Sequence, residues 1–228
     1  NNVVNLADGS PAVAPGGLIS VFGSNLSSVT ATNKELPVPT TLGEACLTVN
    51  GVLAPLFLAS PGQINAQLPF EVSGSAAMIL RAPGGTSNTF NFTVLPSAPA
   101  VFRTGTAGPD TGIPTIFRAV NNELVTLSNP VHPEDYLTIF VTGLGGTSPA
   151  VKTGHPAPSD PLAVAQIVPT ITLGGMELGI QFAGLVPGQV GVYQINAFVP
   201  ATVPRGMFVP LSIVLGKEVF SLNVRVVK

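Results

Sequence analysis

"SPGQINAQLPFEV" occupies residues 60–72, and an altered copy, "VPGQVGVYQINAFVPATV", occupies residues 186–203. Each places Pro-Gly ahead of Gln-Ile-Asn and a proline four residues beyond the asparagine. Gln63, Asn65 and Pro69 therefore match Gln194, Asn196 and Pro200 at one constant offset. Side chains alternate across a strand, so Ile64, Ala66 and Leu68 share one face while Gln63, Asn65 and Gln67 share the other. In the copy, Tyr193, Ile195 and Ala197 fall on the core face, and Gln194, Asn196 and Phe198 on the opposite one. The Pro-Gly reads as a turn, and the later proline as a stop that withholds a ladder donor. Two roles fit the amides: hydrogen bonds to loop backbone at the end of a sandwich, or a contact with a neighbouring domain or subunit.

The duplication extends outward from this motif. "APGGLISVFGSNL" (14–26) lies over "HPEDYLTIFVTGL" (132–144), pairing Phe22 with Phe140. "LTVNGVLAPLFLASPG" (47–62) lies over "ITLGGMELGIQFAGLVPG" (171–188), and "NFTV" (91–94) over "NVRV" (223–226). The offset grows along the chain, as expected where strands are kept and loops lengthen. Runs such as "LISVFGSNL", "AMILRAPGG", "FVPLSIVLG" and "FSLNVRVV" alternate with Pro, Gly, Asn and Ser clusters, and no uninterrupted stretch has helical periodicity. The chain reads as all-β, with two tandem domains at 1–97 and 98–228 divided within "LPSAPAVF", residues 95–102. The second opens with "IPTIFRAVNNELVTLSNP", where "NN" predicts a hairpin turn. The first has "NNVVNLADGSPAV" in the comparable place and lacks that hairpin.

Composition narrows the partners. Hydrophobic residues make up 45% and charged residues only 9% of the 228, with a net charge of -2. There is no basic stripe for nucleic acid and no apolar run long enough to span a membrane. A surface of Ser, Thr, Asn, Gln, Gly and Pro suits contact with copies of itself or an extracellular matrix, since few ions need desolvation; an unusually uncharged monomer is the other reading. Cys46 is the only cysteine, which rules out an intrachain disulfide and a cysteine zinc site.

The ordered motifs "VAPGGLISVFGSNL", "LPTTLGEACLTVNGVLAPLFLASPGQINAQLP", "VTGLGG" and "FAGLVPGQVGVYQINAFVP" resemble the C-terminal domain, of Solibacter type, found in secreted acidobacterial proteins. Within each repeat the pattern is similar to TIG-type immunoglobulin-like domains. The resemblance implies extracellular β-sandwich modules, often appended to larger surface proteins, and implies no enzymatic activity.

Catalytic constellations are scarce. His132 and His155, the only histidines, each precede proline in loop-like stretches, and a site with Asp135 or Asp160 lacks any known ligand spacing. "TGLGGTS" (142–148) ends in Ser148 where a dinucleotide loop needs glycine, and "LGKE" fails the phosphate-loop pattern. Glu71, Asp110, Glu134, Asp135, Asp160 and Glu177 are scattered, so no glycosidase pair can be named; Asp110 and Asp160 are the candidates for loop calcium. Asn25 and Asn91 satisfy the N-glycosylation sequon. The absence of Trp disfavours a sugar platform.

The expectation is a non-enzymatic extracellular or cell-surface structural protein with no cofactor, self-associating as a homo-oligomer or polymer, a filament or a layer. "NNVVNLA" would be added to a neighbour's open sheet edge through Val3, Val4 and Leu6. The alternative is a monomeric binding or spacer module that recognises other surface proteins or polysaccharide.

Overall fold

The computed structural model describes residues 2–104 and 112–228. Strands β1 (Val3–Asn5), β2 (Leu18–Phe22), β3 (Ala31–Thr32), β4 (Thr41–Leu42), β5 (Ala45–Val49), β6 (Val52–Ala54), β7 (Leu56–Ala59), β8 (Gln63–Gln67), β9 (Gly74–Ala82), β10 (Gly85–Thr86) and β11 (Phe90–Val94) form two antiparallel sheets. One runs β1-β2-β8-β7-β3; the other runs β10-β9-β5-β4, with β11 beside β9 and β6 beside β5. Between them lies a core that includes Ile19, Leu47, Leu56, Ile64 and Leu68, all essentially inaccessible to solvent. Burying each such side chain contributes ~1.5–3 kcal/mol.

The later strands are β12 (Ala100–Val101), β13 (Ile116–Arg118), β14 (Glu123–Leu124), β15 (Tyr136–Thr142), β16 (Thr147–Ser148), β17 (Val164–Ala165), β18 (Thr170–Leu173), β19 (Met176–Glu177), β20 (Gly179–Leu185), β21 (Tyr193–Phe198), β22 (Gly206–Leu215) and β23 (Glu218–Val226). They form an antiparallel sheet ordered β14-β13-β15-β21-β20-β17-β16, with β12 beside β15, and a four-stranded sheet ordered β19-β18-β22-β23. A second core, with Ile116, Leu137, Ile139, Ile171 and Tyr193, fills the space between them. The fold is all-β, and no described residue is helical.

Ladders in the two halves correspond residue for residue. Phe22 faces Gln63 as Phe140 faces Gln194, and Val3 faces Val21 as Ile116 faces Ile139. Both halves carry a bulge at one position, between Leu56 and Leu58 and between Ile180 and Phe182. Asn50-Gly51 and Gly174-Gly175 turn the equivalent hairpins with positive φ at both residues, the conformation of the tight turns that suit strand twist.

The connector is ordered. Ala98 to Val101 are buried, β12 pairs with β15, and the Ala98 N–H donates to Gly143 O at 2.8 Å. Gly143 sits at φ +79° with a Cβ position only 2.1 Å from Ala98 O, so glycine is required where the connector crosses the "TGLGG" loop.

Candidate functional site

The repeated amides bond to each other. Gln63 Nε2 donates to Asn65 Oδ1 at 2.7 Å, and Gln194 Nε2 to Asn196 Oδ1 at 2.8 Å. Residues i and i+2 share a strand face, so each strand pairs its own polar side chains over the sheet; Ser20 Oγ also donates to Asn65 Oδ1, at 3.0 Å. Pro69 and Pro200 follow their strands, and their carbonyls accept from the Val72 and Val203 N–H groups, closing equivalent turns. Among the described residues, Gln63, Asn65, Gln194 and Asn196 thus bond within the strand or to the strand beside it rather than to loop backbone.

Gln67, by contrast, departs from the exposed face assigned to it. It is 1% exposed, because the second half covers its end of the strand. Its Nε2 donates to Gly16 O at 3.1 Å, and its Oε1 accepts from the Gly154 N–H at 2.7 Å. Three further buried polar side chains cross the junction. Asn5 Nδ2 donates to Ala98 O at 3.2 Å, Ser97 Oγ to Leu215 O at 3.1 Å, and Thr142 Oγ1 accepts from the Leu18 N–H at 2.9 Å while donating to Gly191 O at 3.0 Å. Buried polar groups with their partners satisfied fix one geometry, since any shift leaves donors unpaired in a dry environment.

On the second half, the outer face of the β15–β21 ladder is aromatic. Cross-strand rows set Tyr136 beside Phe198, Phe117 and Thr138 beside Asn196 and Phe182, and Phe140 beside Gln194. Tyr136 is 48% exposed, and its ring lies 5.0 Å from that of Phe198; the Phe117 and Phe140 rings meet edge to face at 5.8 Å. Interplanar angles of 50° and 84° make a ridged patch rather than a flat stacking platform. In the first half the positions of Tyr136 and Phe198 are held by Leu18 and Gln67, both buried.

The outer face of the β22–β23 hairpin is also free of charge from Val219 to Asn223. Val219 faces Val214, Ser221 faces Ser212, and Asn223 faces Pro210. Phe208, 76% exposed, and Met207 extend the face beyond a bulge. β23 is an edge strand. Beside it, between β23 and the β13–β14 hairpin, opens an apolar cavity of about 560 Å³ lined by Ile113, Ile116, Val125, Leu127 and Val224.

Val3, Val4 and Leu6 lie in their own sandwich. Val3 is buried in the first core, Val4 lies opposite Ser20, and the Leu6 N–H donates to Leu18 O at 3.0 Å. Val3 completes the first core at the position Ile116 holds in the second, so this segment is used within its own chain rather than projecting from it. Asn25 and Asn91 are exposed.

Asp135 is committed to structure. Arg118 Nε and its Nη2 donate to the two Asp135 oxygens at 2.7 and 3.0 Å, and the His132 N–H adds a bond of 2.7 Å. His155 Nδ1 lies 3.2 Å from Thr153 O. No group of three potential metal ligands occurs among the described residues; Asp110 lies outside them. Tyr193, fully buried, donates its hydroxyl to Gly145 O, and burial pushes its ionisation well above the usual phenol range. No described helix is long and apolar enough to cross a membrane.

Sequence reasoning did not find the aromatic face, although period-two spacing of Tyr136, Thr138 and Phe140 was its signal. It also did not find the β23 edge, for which "VFSLNV" between Glu218 and Arg225 was the signal.

No family model matches the chain, and no curated protein matches it. Eleven solved chains do match. One of them, domains 5-6 of the S-layer protein SbsC, is 12% identical, covers 99% of this chain and 95% of its own, and superposes with a TM-score of 0.27.

Proposed function

We propose that this chain is a non-enzymatic extracellular structural protein, a self-associating subunit of a cell-surface filament or layer. In this reading it consists of two immunoglobulin-like sandwiches, residues 1–97 and 98–228, of the Solibacter-type family. The observation that carries it is a pair of charge-free faces on the second half: neither the aromatic face around Tyr136 and Phe198 nor the Val219, Ser221 and Asn223 face bears a charged side chain in its paired rows. Such surfaces meet without stripping water from ions, whose desolvation is the main penalty in burying polar contacts. The hydrogen-bonded junction makes the two halves one block, as a load-bearing repeat needs. Light scattering over a rising concentration series tests the reading: mass increases above that of one chain, whereas a constant single-chain mass rejects it.

A second reading is favoured by the aromatic–amide face. Exposed rings around the hydrogen-bonded Gln194–Asn196 pair suit a neutral ligand or protein, making the chain a binding or spacer module of a larger secreted protein. Tyr136→Ala distinguishes the two, lowering retention on a polysaccharide or protein array in the module reading alone.

A further inference from the structure

Among the described residues, the backbone of β23 has one open side. Gly216 and Lys217 form the turn of the β22–β23 hairpin, with Leu215 opposite Glu218. In a two-residue turn that flanking pair is hydrogen-bonded, so even-numbered residues of β23 direct their N–H and C=O groups to β22, and odd-numbered residues direct theirs away. Two observations agree: Pro210, which has no N–H, sits opposite Asn223, and Arg225 O accepts from the Val131 N–H at 2.9 Å on the outer side. Val131 covers that end of the strand. From Val219 to Asn223 the outward backbone groups have no backbone partner among the described residues.

Natural edge strands are guarded by lysine, proline, bulges or brevity. This stretch has none of these. Val219, Phe220, Ser221, Leu222, Asn223 and Val224 are six consecutive residues without charge, proline or glycine, the composition that pairs most readily with another strand. Beside the strand, cavities of about 560 and 300 Å³ leave room for side chains of an added strand.

Resting on the structural reading above, we propose that β23 pairs with β23 of a second copy of this chain, antiparallel about a two-fold axis. The two four-stranded sheets then merge into one. A second copy is the occupant that fits, because the open stretch from Val219 to Asn223 matches itself in length, while the other described edge strands apart from β11 have 3 residues or fewer. The open stretch is also its own complement: centred on Ser221, the pairing sets Ser221 against Ser221 and Val219 against Asn223, with no like charges meeting inside it. Such a contact is isologous and closes on itself, so a filament or layer uses it together with a second surface.

Sedimentation equilibrium of the full chain tests the pairing through Ser221→Lys, which places a charge on the edge, and Ser212→Lys, which places one on the same face one strand further in. Ser221→Pro, which removes an outward N–H along with the hydroxyl contact to Ser212 while keeping the backbone bonds to β22, is the second edge variant. Wild type and Ser212→Lys are expected at twice the 23.2 kDa chain mass or more, and both edge variants at the single-chain mass or with association weakened at least ~10-fold; thermal melting identifies any variant that has lost its fold. Association that is undiminished in folded edge variants, or is lost in Ser212→Lys alone, overturns the β23 pairing and leaves the structural reading standing. A wild type that is monomeric throughout overturns both.

Discussion

Tyr193 and Gln67 show what single side chains contribute. Tyr193→Phe removes the donor to the Gly145 carbonyl in a buried site, an orphaned acceptor that costs ~1–3 kcal/mol; urea denaturation is the check. The phenol's ionisation is raised by burial, so the stability tied to its neutral form is fully present below the unfolded-state value of about 10. That stability is lost as pH rises above it, because the unfolded chain then releases a proton that the folded chain retains. The predicted pH profile therefore falls on the alkaline side, and Tyr193→Phe flattens that fall. Gln67→Ala leaves Gly16 O and the Gly154 N–H without their bonds and is expected to lower stability by about 2 kcal/mol by the same measurement. The sequence pattern assigned Gln67 to the outward face, which alternation alone supports. Its burial depends on the partner half, a contact that no local period encodes.

Strands and turns were far more legible than the surfaces built from them. The alternating runs around Ile19, Leu47, Ile139 and Ile213 are strands with those residues inside, because the two-residue period is a local property. The "NN" hairpin is present too, with Asn122 at φ +54° closing a turn between β13 and β14. What holds that hairpin against the body is the Arg118–Asp135 pair, with Asn129 accepting from Arg118 Nη1 at 2.9 Å. Both charges are nearly buried, so Asp135→Ala strands the guanidinium and is expected to cost ~3–5 kcal/mol, with faster amide exchange concentrated in residues 113–131. The open side of β23 was only half legible for a physical reason: "VFSLNV" shows a stretch without edge guards, but which strand ends a sheet is set by tertiary order.

At the scale of the whole molecule, the buried bonds of Asn5, Gln67, Ser97 and Thr142 join the two halves. Calorimetry is expected to give a single transition for the wild type. Combining Gln67→Ala with Thr142→Val should split it in two, since only the junction is weakened while each core is kept. The matching registers of the two halves were readable from spacing, but the junction was not, because it is made where the halves differ: Leu18 and Gln67 stand where the second half has Tyr136 and Phe198. One repeat thus uses that end of its sheet to dock the other, while the second repeat leaves the same end aromatic and exposed. The most direct test of self-assembly is electron microscopy of the purified chain at increasing concentration. Ordered rows or sheets with a repeat of one or two chains are predicted, and separate single-chain particles at every concentration would contradict the account.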